Sequence, residues 1–477
     1  YFMIEKIKQF YNNSPEKFYL ILLGLLSFIF LFVGMGAYPL VDVDETRYAV
    51  MSRDLLHHNW NFLMLNGVPF IEKPPLYFWI TAFSIKLFGF HEYAIRLPMS
   101  ILATLTVFFT YYIGKKIKTP KFGFYTATIM MANVFFIMLT RVAIIDMVFT
   151  ALLTWTIYFG LLTEFVKDNN KKWCWTAFYL CMSFAFLAKG LLAIVFPCAI
   201  IGIHRIINKS VKEIFKPQYF LSGLVLFLLI NLPWHLAMYK EYGFEFIWVY
   251  FILHHFERLV NADALGKTRP FLYFIPVFFV GFLPWSLHFI GAIVDFFKKK
   301  MFKDKYVLFF AIYFIIIFGL FSAASGKLPT YVLPAVPPAA FLTAYFIYAK
   351  DSKWLKIPTY ISILATVVAL IVLRTVVYTG GTNELVEFSK TAQNSEYHLI
   401  TYNMQIKPAI FLNYTKDYAD LILDDKLEDL QKAVENHSKS MIIIKKKNMA
   451  NSENVTYLKN FKLVKSCKKY ELYQTID

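Results

Sequence analysis

Residues 18–40 read FYLILLGLLSFIFLFVGMGAYPL, with no charged side chain from end to end. Crossing about 30 Å of hydrocarbon takes roughly 20 apolar residues wound as a helix, so this stretch is long enough to span a bilayer. Backbone N–H and C=O groups in lipid must be satisfied within their own segment, which makes a helix its form. No small-residue cleavage site follows, and the run reads as a signal anchor rather than a removable signal peptide. Working outward, apolar runs recur at 94–113, 122–140, 142–165, 173–189, 190–206, 219–238, 270–293, 306–323, 331–349 and 356–378. Together they give about eleven spans. The expected fold class is an all-α polytopic membrane protein over residues 1–378, followed by a small C-terminal α/β extramembrane domain over 379–477.

Composition excludes the ordinary alternatives. Hydrophobic residues make up 58% of the 477 positions and charged residues 17%, a balance that a water-soluble globule does not carry. The net charge of +17 would raise nucleic acid as a partner, but no basic stripe is interleaved with exposed aromatics. The lysines instead cluster in short loops, as at Lys115, Lys116, Lys118 and Lys121, where the positive-inside rule puts them on the cytoplasmic face. The four cysteines, Cys174, Cys181, Cys198 and Cys467, form neither a disulfide framework nor a metal motif.

The short run Pro74–Phe90 is interrupted by Lys86. Making it a full span would invert every later loop and move the Lys115 cluster outside, so it is assigned as a re-entrant or interfacial helix. The non-cytoplasmic face then carries the loop 41–93, hinges at Arg141 and at Lys189-Gly190, the loop 239–269, the segment Ser322–Tyr331 and the tail. Strand-like runs in that tail fall at 399–402, 441–444 and 461–464, with a helical stretch at 427–435.

Five groups on that face are candidates for chemistry. Asp42, Asp44, Glu45 and Arg47 follow the first span directly; carboxylates at a membrane boundary are costly to desolvate unless paired or used, although Asp44 or Thr46 could equally cap a helix. Glu72-Lys73 precedes Pro74-Pro75, whose fixed backbone holds an acid and a base stiffly; a snorkelling lysine with a salt bridge is the plainer alternative. Asp146 lies just inside a span and is either functional or paired with Arg141 or a nearby helix. His254-His255-Phe256-Glu257-Arg258 is a dense polar cluster fit for a ligand or a phosphate. Lys327 sits in a Gly326/Pro329 turn that does not itself require a lysine. Carboxylates and cations on one bilayer face suit a reaction on a lipid-linked phosphate. Breaking a sugar–phosphate bond builds positive charge on the sugar and negative charge on the departing phosphate.

The ordered set Asp44-Glu45-Thr46-Arg47-Tyr48-Ala49, Glu72-Lys73-Pro74-Pro75-Leu76-Tyr77-Phe78-Trp79, Arg96-Leu97-Pro98, His255-x-x-Arg258 and Gly326-Lys327-Leu328-Pro329-Thr330-Tyr331 resembles the bacterial aminoarabinose transferases that modify lipid A. That family is a branch of the protein O-mannosyltransferase-like GT-C glycosyltransferases, and the likeness runs from about residue 20 to 345. It implies inverting transfer of a sugar from undecaprenyl phosphate to lipid A or another glycolipid at the periplasmic face of the inner membrane. It further implies Asp44, Glu45 and Asp146 as catalytic residues and Lys73, Arg47, Arg258, Lys327 and Tyr331 around the donor phosphate. Glu72 and His255 match positions for a divalent metal, zinc. Asp42 and the C-terminal tail have no counterpart in the motif set. Two rival functions stay open: a protein O-mannosyltransferase acting on Ser/Thr, and a lipid or sugar transporter, whose polar groups would sit in broken helices at the midplane.

Overall fold

The computed structural model describes residues 2–41, 44–257, 268–349, 353–379, 382–393, 395–403, 420–422, 426–448 and 456–476. Its contacts divide the chain into two compact units: Tyr1–Met35, Ile71–Ile80 and Arg96–Ala369 in the first, and Gly36–Phe70, Thr81–Ile95 and Leu370–Asp477 in the second. The expected membrane spans lie chiefly on the first. The expected tail domain belongs to the second, which starts at Leu370 and also takes in two pieces of the 41–93 loop.

The expected apolar runs are largely helical, although the first leaves helix after Phe32, and among the described residues fewer of them than the eleven expected are long enough to span. Six helices among the described residues are long and apolar enough to cross a bilayer, or up to eight if two bent pairs each count as one span. The helix Leu76–Phe88 is 13 residues long, about 20 Å at 1.5 Å per residue, and so too short to cross.

Two expected spans, 122–140 and 270–293, are broken rather than straight: Pro120–Met131 and Val134–Thr140 meet at 65°, and Phe271–Gly281 and Ser286–Lys298 at 118°. Asn133 makes the first break affordable in lipid. Its Oδ1 accepts from Phe136 N at 2.9 Å, capping the second helix, while its Nδ2 donates to Met130 O at 2.6 Å and to Ile129 O at 3.3 Å, closing the first. The two breaks also serve each other: Val134 N donates to Leu283 O at 3.0 Å, and Trp285 Nε1 to Ala132 O at 2.5 Å. Groups freed by the bends are thereby satisfied without water.

The turn from Glu92–Ile117 into Pro120–Met131 is built the same way. Thr119 accepts from Phe122 N at 3.1 Å and Pro120 opens the second helix. The helices close so tightly that a Cβ on Gly123 would stand 2.4 Å from Tyr111 O, which only glycine permits.

In the second unit, the hairpin β1 (Met64–Leu65) and β2 (Val68–Pro69) turns through Asn66 (φ 54°) and Gly67 (φ 79°), the positive-φ pair that a two-residue hairpin needs. A five-stranded mixed sheet follows: β3 (His398–Tyr402), β4 (Asp420–Ile422), β5 (Ser440–Lys445), β6 (Lys462–Ser466) and β7 (Tyr470–Gln474), in the order β4-β3-β5-β7-β6. β3 runs parallel to β4 and β5, and β7 antiparallel to β5 and β6. The run Met441-Ile442-Ile443-Ile444 is continuously apolar because both faces of β5 are covered. Met441 and Ile443 pack with Leu385, Phe388, Leu399 and Leu472, and Ile442 and Ile444 with Ile400, Tyr402, Leu430 and Leu458. Val50, from the helix Asp44–Asp54, joins the first of these cores.

Candidate active site

In the second unit, the helix Asp44–Asp54 begins with two carboxylates in its first turn, where the N-terminal end of the helix dipole favours them. They have different fates. Glu45 is buried, and its Oε2 accepts from Val41 N at 2.6 Å, tying the helix to the chain that leads into it. Asp44 remains 45% exposed and pairs with Arg47 NH2 at 2.5 Å, one turn on. Of the two, Asp44 is the one open to a substrate. Asp42 and Arg258 lie outside the described residues, as does the side chain of His255.

In the first unit, Glu72 and Lys73 are half-buried just ahead of Pro74-Pro75. Tyr77, the second residue of the helix Leu76–Phe88, donates through its hydroxyl to Ala143 O at 2.7 Å, fixing the motif to the turn before Asp146. The side chain facing Glu72 is that of His254, with Nε2 3.6 Å from Oε2. Two described ligand atoms are one fewer than a catalytic zinc takes from protein. The side chain of His255, expected beside Glu72 in such a site, lies outside the described residues.

Asp146 pairs not with Arg141 but with Lys189. Helix ends bring them together: Asp146 is in the first turn of Ile145–Leu162 and Lys189 in the last turn of Asp168–Lys189, each the sign its dipole end prefers. Gly190, at φ 76°, stops the second helix there. The pair is only 17% and 16% exposed. The Lys189 ammonium also lies 4.5 Å above the Tyr331 ring and 5.2 Å above the Phe149 ring. The structure thus unites two residues expected at the site, Asp146 and Tyr331, through the hinge lysine Lys189, which the motif set does not include. An ammonium has three donors, so one bound to a carboxylate can still hold an anionic oxygen.

Lys327 is almost fully buried, and its Nζ donates to Ala324 O and, at 3.0 Å, to Arg269 O. Burial pulls its ammonium below the usual lysine range. It closes the C-terminal end of Lys305–Ala323 and holds the turn to the segment at 268–269, where Thr268 also bridges Gly326. Arg141, which is fully buried, works similarly: it donates to Phe30 O at 2.9 Å, Val33 O at 2.7 Å and Ile29 O at 3.3 Å, at the end of the first span.

Residues 72–236 match the family model described as dolichyl-phosphate-mannose-protein mannosyltransferase. The undecaprenyl phosphate-alpha-4-amino-4-deoxy-L-arabinose arabinosyl transferase 2 of Proteus mirabilis is 28% identical over 76% of the chain and 67% of its own length. A transferase of the same description from Pseudomonas fluorescens is 25% identical over 81% of the chain and 68% of its own length. The crystal structure of ArnT from Cupriavidus metallidurans bound to undecaprenyl phosphate superposes with a TM-score of 0.80 at 17% identity, covering 96% of this chain and 98% of that one. The chain has the GT-C fold of that structure and is similar in sequence to the aminoarabinose transferases. The GT-C expectation for the fold holds: a multi-pass helical membrane protein carrying a small α/β domain. The chain spans about two thirds of the length of the curated relatives it matches.

Proposed function

We propose that this GT-C chain transfers a sugar from an undecaprenyl-phosphate donor to lipid A or a related glycolipid at the periplasmic face of the bacterial inner membrane. The observation that carries the reading is Lys189, a cation held between the Asp146 carboxylate and the faces of Tyr331 and Phe149 at the end of membrane helices. Such a group suits the phosphate of a lipid carrier. The alignment with arabinosyl transferases over about three quarters of the chain supports the same donor class and a pentose as the sugar.

In this reading an acceptor oxygen attacks the anomeric carbon from the face opposite the phosphate. The sugar–phosphate C–O bond breaks with its electron pair left on the phosphate oxygen, and the configuration inverts. Negative charge grows on that phosphate, and Lys189, Lys73 and Arg258 are the cations assigned to it. Asp44 is assigned to the acceptor. For a hydroxyl it removes the proton; a lipid A phosphate is already anionic, and Asp44 then orients the acceptor sugar. Glu45 and Lys327 serve by holding backbone that carries the working residues.

The match of residues 72–236 to a protein mannosyltransferase model favours a second acceptor, a Ser/Thr hydroxyl. Proteoliposomes given an undecaprenyl-phosphate-linked aminopentose, with lipid A or a Ser/Thr-rich peptide, separate the two. Transfer to lipid A is expected, and it is lost in Asp44→Asn while membrane insertion is kept. Wild-type rates in that variant remove the role of Asp44, and movement of lipid-linked sugar across the vesicle with no transfer overturns the enzyme reading in favour of a transporter.

A further inference from the structure

We propose that His398, Asp420 and His437, in the C-terminal sheet, form a binding site for a divalent transition-metal ion of the zinc type, independent of the transfer reaction. The fold brings the three together from separate places. His398 opens β3, Asp420 opens β4, and His437 lies between the helix Leu427–Glu435 and β5. The parallel pairing sets Ile400 opposite Asp420 and His398 opposite Ser440, three residues beyond His437. All three side chains therefore stand at the same end of three neighbouring parallel strands.

Two of their separations match an edge of a coordination tetrahedron. His398 Nε2 is 3.3 Å from Asp420 Oδ2 and His437 Nε2 is 3.2 Å from the same oxygen. With Zn–N and Zn–O bonds of about 2.0–2.1 Å, the edge of a tetrahedral site is about 3.3 Å. All three ligand atoms lie within 4.8 Å of one another, close enough to converge on one ion once the rings turn out of their stack. The imidazoles lie face to face, centroids 3.6 Å apart and 16° from parallel.

Two imidazoles and one carboxylate select zinc-like ions over calcium or magnesium, which prefer all-oxygen shells. The side chains are 21%, 41% and 35% exposed, leaving room for water as the fourth ligand. An ion held there joins β3, β4 and the chain entering β5, and so stabilises the sheet by mass action.

The test uses the full chain, purified in detergent with a tag that contains no histidine, stripped with chelator and then equilibrated with micromolar zinc. Bound metal is counted by atomic emission, and Co²⁺ replaces zinc for the visible absorption of a tetrahedral site. The wild type is expected to lose one equivalent, and its zinc-dependent rise in melting temperature, on His437→Gln and on His398→Gln/His437→Gln. Glu72→Gln is expected to keep both. His437 is half-exposed and outside regular structure, so His437→Gln carries the test should the double variant fail to fold. A wild type that binds no metal, or a His437→Gln protein with undiminished stoichiometry and the same zinc-dependent melting shift, overturns the site.

Discussion

Replacing Lys189 by methionine leaves the Asp146 carboxylate among apolar and aromatic neighbours with its ammonium partner removed. Both side chains are less than one fifth exposed, so solvent does little to compensate. Breaking a buried pair from one side costs about 3–5 kcal/mol, whereas removing both charges by residues of similar volume is close to neutral. The lost contacts to Tyr331 and Phe149 add about 0.5–2 kcal/mol. Lys189→Met is therefore expected to melt well below the wild type in detergent, and Asp146→Asn/Lys189→Met to recover most of the loss. Transfer in proteoliposomes then separates structure from chemistry. A purely architectural pair returns activity with stability in the double variant; a cation that holds donor phosphate leaves the double variant stable but slow, with a raised donor KM. A Lys189→Met protein as stable as the wild type refutes the ion pair, and a stable double variant with wild-type KM refutes the phosphate role.

Arg141→Lys keeps the charge but loses the fork that reaches Phe30, Val33 and Ile29; leaving these carbonyls short of donors should cost about 2–4 kcal/mol, read as a lowered melting temperature. Gly123→Ala drives a methyl against the backbone of Tyr111 and Lys115 and should destabilise by about 1–3 kcal/mol or more, with reduced yield of folded protein on detergent gel filtration. Burial pushes the Glu164 carboxyl up, but hydrogen bonding and charge from His204, with Arg205 and Lys305, outweigh it and hold the group below its usual range. A depressed folded value means stability that is fully present above the unfolded value of about 4.3 and lost as pH falls through the folded one. The melting-temperature gap between wild type and Glu164→Gln should accordingly narrow in that acid window and stay constant above it; a gap that does not change there contradicts the assignment.

The positions of the apolar helices were readable because lipid imposes one rule on every span, and runs such as 306–323 obey it without exception. Their bends were not readable, because hydropathy is blind to direction. The break at Asn133 is made by one amide that caps forward and donates backward, inside a run that reads as continuous. A polar Asn two residues after Met131 and three before Phe136 was the available signal. In the tail, β5 announced itself through four apolar residues in a row, whereas β7, Tyr470–Gln474, alternates with charge, and β4 has three residues. The hairpin at Asn66-Gly67 had a strong turn signal in two very short strands. That Val50 would pack into the tail's core could not be seen, since contacts between distant segments leave no local trace.

The cations teach the sharper lesson about the site. The sequence puts Lys327 in a turn that needs no lysine and Arg141 at a hinge between spans, and neither position says what the cation binds. Both are spent on carbonyls at helix ends, as is Arg96, whose NH1 donates to Met35 O at 2.6 Å. The reason is general: each bend or end of a helix in lipid exposes C=O groups that no water reaches, and a long basic side chain is the donor that can be brought to them. A cation beside a helix break therefore has two uses, and sequence position does not separate them. Partner chemistry does. Lys327 and Arg141 face backbone oxygens, whereas Lys189 faces a carboxylate and two aromatic rings. Among these three described cations Lys189 is paired with side chains rather than with backbone, and for that reason it is Lys189, ahead of Lys327, that we propose for the donor phosphate.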